Sequence, residues 1–410
     1  MRSIMYNSLA DNWIQECEHM FDYRKIADLE PFHKIAEFSF SVDERYRSSV
    51  RNTVRNSLTI GSEVWGAYDN STLAAGYVLD EYTMRFRNSM VKMGGIGFVC
   101  TRIDYRGKGA VKFLMKGSLK TMHEKGHAVS VLYPFNQSFY RKYGWEQFYR
   151  VRKIKLSPEH FKLPESDDSI TTELLDHPDQ ETISFYNDYA RRHYNYCLRT
   201  MDYWNMFMSN PWPDLIARYI VKFSEKGKVI GLMDLSYVKE GKERKSVLSI
   251  RPLIYETEEA RRSMLAFVKR LSQQIEEVAF MIPMDEELWP YLSDRPKEQT
   301  IDDFGMIRVV SVEQLDGLAI GAPDLELGIK LNDSLAPWND GIFSLKVQSG
   351  RLEVSRSQEY DIECDVATLS SVLSGFTNLR EMYACGRVKT THDVLNVDLP
   401  KETTLLMEFF

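Results

Sequence analysis

Arg106, Gly107, Lys108 and Gly109 place two cations and two glycines in a four-residue turn. The turn lies between a strand-like run, Met93-Gly-Gly-Ile-Gly-Phe-Val-Cys-Thr101, and the start of a helical pattern at Ala110. A turn that opens directly into a helix points unpaired backbone N–H groups forward, and these favour an anion at the helix's positive end. Gly107 and Gly109 let the backbone approach closely, while Arg106 and Lys108 add charge. The chemistry implied is a pyrophosphate cradle.

Competing phosphate motifs fit less well. No G-x-x-x-x-G-K-[ST] string occurs, and Gly107-Lys-Gly109 is followed by Lys112 where a dinucleotide fingerprint needs glycine. The acetyl-CoA loop of GNAT-type acetyltransferases, [QR]-x-x-G-x-[GA], matches Arg106-Gly-Lys-Gly-Ala-Val111 except at Val111. His123-Glu-Lys-Gly-His127 has the H-E-x-x-H form, but that motif needs both histidines on one continuous helix. Gly126 is the expected helix end, so no metal site is assigned.

Regular elements must hold the cradle. Val111, Leu114, Met115, Ser118, Leu119 and Met122 recur at helical spacing. Ala128–Tyr133 reads as a buried strand closed by Pro134, and the aromatic block Ser138-Phe-Tyr-Arg-Lys-Tyr-Gly-Trp145 follows. A second strand–helix–strand unit occupies 246–256, 257–276 and 278–282. Gly109 to Pro134 and Glu258 to Pro283 both span 25 positions, but the second unit has Tyr255-Glu-Thr-Glu258 where the first has its basic glycine turn. Those carboxylates would repel a pyrophosphate. Short strands at 305–310, 342–347 and 352–356 and helices near 365–374 and 378–385 indicate a third domain. The expected organisation is an α/β (α+β) multidomain chain: an extension over 1–19, a cofactor domain over 20–150, a degenerate copy over 151–295 and an α+β domain over 296–410.

At 410 residues the chain has room for several cores. A net charge of −7 argues against a general nucleic-acid binder. Five scattered cysteines (17, 100, 197, 364, 385) suggest neither a disulfide framework nor a thiolate metal site, and there is no 18-residue apolar run. A cytoplasmic protein with no membrane partner is expected.

The chain resembles the Eis (enhanced intracellular survival) family of acetyltransferases over essentially its full length. The resemblance rests on Val99-Cys-Thr101 with Arg106-Gly-Lys-Gly109, the block 138–145, Met306-Ile-Arg-Val-Val310, Asp333-Ser-Leu-Ala-Pro-Trp338 and Phe409-Phe410. It implies tandem GNAT-like domains, the second degenerate, and a C-terminal domain like sterol carrier proteins. It further implies acetyl-CoA as acetyl donor, broad amine acetylation and assembly as a homohexamer. Acceptors would be cationic amines, either small molecules or peptide lysines. By position, Tyr140 is the proton donor, with Tyr143 and then Tyr133 its rivals, and the α-carboxylate of Phe410 is the proton acceptor. Val99, Cys100 and Thr101 would hold the pantetheine arm. Arg106, Gly107, Lys108, Gly109, Ala110, Val111 and Lys112 would hold the pyrophosphate, with Phe135 and Asn136 completing the site. Glu408, Phe38 and Phe40 are candidate acceptor contacts. Cys100, on a strand, is expected to be a buried small residue and not a nucleophile.

Overall fold

The computed structural model describes residues 20–40, 43–163, 169–209, 214–241, 245–390, 399–408 and 410. The proposed extension 1–19 and Phe409 lie outside the described residues.

The first part of the chain runs β1 (Asp22–Lys25), α1 (Leu29–Ser39), α2 (Glu44–Thr59), β2 (Glu63–Asp69), β3 (Thr72–Phe86), β4 (Ser89–Thr101), α3 (Ala110–Glu124), β5 (Val129–Leu132), α4 (Gln137–Arg141) and β6 (Glu146–Leu156). The middle runs β7 (Ile170–Leu175), α5 (Gln180–Ala190), α6 (Met201–Met208), β8 (Leu215–Glu225), β9 (Lys228–Glu240), β10 (Lys245–Tyr255), α7 (Glu258–Arg270), β11 (Val278–Ile282) and β12 (Glu298–Val309). The last part holds β13 (Leu325–Asn332), β14 (Gly341–Gln348), β15 (Arg351–Arg356), β16 (Ile362–Asp365), α8 (Val366–Leu373), α9 (Leu379–Ala384) and β17 (Lys389–Thr390). Short polar residues start these helices. Asp28, Asn136, Asp179, Thr200, Thr257, Asp365 and Asn378 each accept a backbone N–H of the first turn, a cap that contributes about 1 kcal/mol.

Among the described residues the strands form two sheets. The larger has the order β1-β2-β3-β4-β5-β12-β6-β11-β10-β9-β8-β7, the smaller β15-β14-β13-β16-β17. The internal repeat is visible in the pairing: β4 runs parallel to β5, and β10 runs parallel to β11. Their helices differ where it matters. Thr257 caps α7, with Glu258 and Glu259 in its first turn, whereas Gly109 precedes α3 with no side-chain cap and no acid in that turn. Only the first copy leaves its helix donors to an external anion.

One expected assignment changes. Residues 305–310, read as the opening of the third domain, lie at the end of β12, which is inserted between β5 and β6. Met306, Ile307 and Val309 are buried there, so the apolar run completes the large sheet and does not begin a new one. The third domain is then joined to that strand by a buried ion pair. Arg308 donates to both oxygens of Asp333 at 2.7 and 2.6 Å, and Asp333 also accepts the Leu335 and Ala336 N–H groups. Trp338 completes the junction, donating its indole N–H to the Val310 carbonyl at 2.7 Å and stacking on His123 of α3.

Candidate active site

β4 carries three glycines, and each marks a close approach. A Cβ on Gly94 would fall 2.4 Å from Met122 Sδ of α3. On Gly95 it would fall 2.9 Å from the Phe410 ring, and on Gly97 2.5 Å from the Phe410 carbonyl carbon. Glycine inside a strand often signals such contacts. The strand therefore accepts the cofactor helix on one side and residue 410 on the other.

β4 and β5 pair only from Met93↔Val129 to Ile96↔Leu132. Beyond Ile96 they part, and residues 97–101 keep a backbone edge turned to the gap. A bulge sharpens the opening: the register against β3 slips between Gly76↔Cys100 and Val78↔Gly97, with Phe98 at φ 51°. A bulge re-aims backbone N–H groups out of the ladder. The free edge can bind an extended amide-bearing chain as an added strand.

In front of this gap lies a cleft of about 1000 Å³. Val99, Cys100, Thr101, Arg106, Gly107, Gly109, Ala110, Val111, Lys112 and Phe135 line it, as do Tyr105, Phe113, Lys116, Phe139, Tyr143 and Leu335. Gly107 and Gly109 have φ of 78° and 82°, and nothing lies within 4 Å of a Cβ built on Gly107. Uncapped N–H groups, left-handed glycines and three lining cations fit a pyrophosphate. Lys108 and Asn136 do not line the cleft. Lys108 lies over the Tyr105 ring, and Asn136 Oδ1 accepts from Phe139 N–H and Ser138 Oγ. Asn136 thus positions α4, the carrier of the aromatic block.

Tyr140 and Tyr143 separate on that helix and its following turn. Tyr140 is 3% exposed, set edge-on to Phe135 and Phe139 behind the cleft wall. Burial raises its phenol well above the ordinary range, with Tyr143 adding to the shift, so its hydroxyl keeps a proton at neutral pH. Tyr143 lines the cleft itself, and burial raises its phenol too. Cys100 is buried, and desolvation pushes its thiol far up, which leaves it protonated and unreactive.

Residue 410 is bound beside the gap. The Phe410 ring lies 5.6 Å from Tyr82 and 5.1 Å from Tyr133. Tyr133 donates its hydroxyl to the Glu408 carbonyl. The Glu408 side chain is fully buried and accepts from Arg199 Nε at 2.8 Å and Tyr186 OH at 3.2 Å. Glu408 is therefore an internal anchor, and its expected role as an acceptor contact is not supported. Phe40, half exposed, does line the cleft. Sequence reasoning missed Gly95 and Gly97 as the seat of residue 410; the signal was the Gly-Gly-Ile-Gly run within a strand pattern.

His123 and His127 do not share a helix. α3 ends at Glu124, Gly126 has φ 79°, and the buried His127 contacts the Met122 carbonyl through Nδ1.

Comparison with known families and structures agrees with this layout. Two models described as acetyltransferase (GNAT) domains match residues 22–148 and 196–309, and a sterol carrier protein domain model matches 315–404. No curated protein matches the chain by sequence. A GCN5-related N-acetyltransferase from Anabaena variabilis has a similar fold at 22% identity, TM-score 0.82, covering 95% of this chain and all of its own. A conserved protein of unknown function from Enterococcus faecalis, described as a probable N-acyltransferase, aligns at 18% identity and TM-score 0.81, over 95% of this chain and 100% of that one. Eis1 from Mycobacterium abscessus aligns at 17% identity and TM-score 0.72, over 94% of this chain and 98% of its own. The chain is accordingly a GNAT acetyltransferase, with two acetyltransferase domains in tandem ahead of a sterol carrier protein domain, and it shares the fold of Eis1.

Proposed function

We propose that this is an Eis-type N-acetyltransferase that moves an acetyl group from acetyl-CoA to a primary amine of aminoglycoside, polyamine or lysine type by direct attack. The observation that carries the reading is the placement of the Phe410 carbonyl carbon against Gly97, next to the free edge of β4. Acetyl-CoA supplies an activated thioester. Gly107, Gly109 and the first turn of α3 bind its pyrophosphate, with Arg106, Lys112 and Lys116 adding charge. The 97–101 edge holds the pantetheine arm. The Phe410 α-carboxylate takes the proton that the attacking nitrogen must lose, a C–N bond forms and the C–S bond breaks. Tyr140 gives its proton to the departing sulfur. On the family resemblance the enzyme works as a cytoplasmic homohexamer.

Asp80 supports a second reading for the base. It sits opposite Gly95 in the β3–β4 register, on the sheet face that meets Phe410, and burial pushes its carboxyl up to about 6. A carrier function finds less support. The apolar pocket of the C-terminal domain, between Leu327, Leu345 and Leu373, holds about 20 Å³, roughly enough for one water.

The test is CoA release with an amine panel, comparing the native chain with one extended by a glycine after Phe410 and with Tyr140→Phe. The extension should abolish turnover while cofactor affinity holds. Tyr140→Phe should lower kcat about 100-fold or more, and Tyr143→Phe should change it only a few-fold. Full turnover by the extended chain would reject the terminal base and move the assignment to Asp80, tested by Asp80→Asn.

A further inference from the structure

The cofactor cleft carries positive charge beyond its pyrophosphate cradle. Gly109, Lys112, Phe113 and Lys116 all line it, at spacings of three and four residues that share one face of α3. The uncapped N–H groups belong to the first turn of that helix. Lys116 stands about two turns on, roughly 10 Å along the axis from Gly109. Among the described residues lining the cleft, Arg106, Lys112 and Lys116 are cations and none is an acid. Lys116 has another interaction within the chain, and an ammonium with three donors can serve a phosphate beside it.

Part of the wall comes from the third domain. Ser334 and Leu335 line the cleft, and their loop is fixed along α3. Leu335 and Ala336 share one apolar cluster with Leu114, Met115 and Leu119 of the helix and with Tyr140. Trp338 stacks on His123 near the helix end. The neighbouring Asp333 is buried and held by Arg308 at 2.6 Å, so the loop brings an exposed serine to the cleft and keeps its carboxylate out of it.

We infer that Lys116 of α3 and Ser334 of the third domain form a second anion site, which receives the 3′-phosphate of coenzyme A. Coenzyme A carries two separated phosphate groups, and the cleft has two separated sources of attraction to match them. Backbone N–H groups cradle the pyrophosphate, while a lysine meets the ribose phosphate as a point charge and a hydroxyl adds a donor. The third domain thereby takes part in choosing the cofactor, and donors without that phosphate are disfavoured. This rests on the acetyl-CoA reading above and deepens it.

Calorimetric titration of the full chain with CoA and with dephospho-CoA, which differ only in the 3′-phosphate, tests the site without any turnover. CoA should bind roughly 10- to 100-fold more tightly, the worth of hydrogen bonds to a charged group. Lys116→Gln should bring that ratio close to one. Ser334→Asp, which sets a carboxylate against the phosphate, should lower it too. Both residues are exposed, so the variants should keep their fold, and an unchanged denaturation midpoint checks this. Lys112→Gln supplies the contrast, since it lies in the first turn and should weaken both ligands alike. Equal affinities in the native chain, or a ratio that survives both substitutions, overturn the inference while the pyrophosphate cradle stands. A ratio sensitive to Lys116 but not to Ser334 overturns the part given to the third domain. Binding of neither ligand overturns the cradle and this site with it.

Discussion

Asp80 is a buried carboxylate with little to stabilise its charge. It is 2% exposed, the Ser62 hydroxyl donates to it, and desolvation raises its pKa from 3.8 to about 6. The sign of the linkage follows. Between about pH 4 and pH 6 the unfolded chain releases this proton while the folded chain keeps it, so stability falls as pH rises through that window and is flat above it. A shift of that size corresponds to about 3 kcal/mol. Asp80→Asn, which keeps a group able to pair with Ser62, should remove this decline. Urea midpoints of the two proteins across pH 4 to 7 check it; parallel curves would show that Asp80 titrates normally. Nothing in the sequence singles out this residue among the chain's many acids. Its partner is the Ser62 hydroxyl, 18 residues back in the chain, a contact set by the packing of the sheet and not by local sequence. The cradle residues behave differently. Arg106, Gly107 and Gly109 do their work through local backbone geometry, which a turn motif encodes directly, and so they were legible.

At the level of elements, periodicity carried far where a helix or strand buries one face. α3, β5, α7, β11, α8 and α9 all fall within the runs that their apolar spacing and caps predict. β12 did not yield to the same reasoning. An apolar run such as 305–310 declares that it is buried, but not which sheet buries it. The glycines of β4 were visible and their purpose was not, since their partners are Met122 and Phe410, distant in sequence. Gly97→Ala tests that purpose. The added methyl must displace the Phe410 carbonyl carbon from a 2.5 Å approach. With the terminal carboxylate as base, kcat should fall by about tenfold or more, because small misplacements of a catalytic group are costly. Acetyl-CoA affinity should hold, since the cradle lies beyond the bulge. Equal loss of cofactor binding would mean that Gly97 serves the strand edge and not the chain end.

Across the whole molecule, residues 404–408 stitch the domains together. Thr404 donates to the Phe148 carbonyl of β6 at 2.6 Å, and Asn195 of the middle domain exchanges bonds with Leu405 at 3.0 and 3.3 Å. Leu405, Leu406 and Met407 are buried. Arg199 then holds Glu408 within an aromatic box, its guanidinium 4.4 Å from the Tyr186 ring centroid and 4.6 Å from that of Trp204. The second acetyltransferase domain has given up its own phosphate turn and, in this arrangement, serves to lock residue 410 onto the first. Removing either member of the pair leaves a buried charge uncompensated, at a cost of about 3–5 kcal/mol. Arg199→Ala and Glu408→Ala should each lower the denaturation midpoint and reduce turnover through a loosened chain end. The double variant, with both charges gone, should be destabilised by less than the sum of the two. Additive losses in a double-mutant cycle would mean that the two residues stabilise the protein independently, and the anchoring role of the second domain would fall with them.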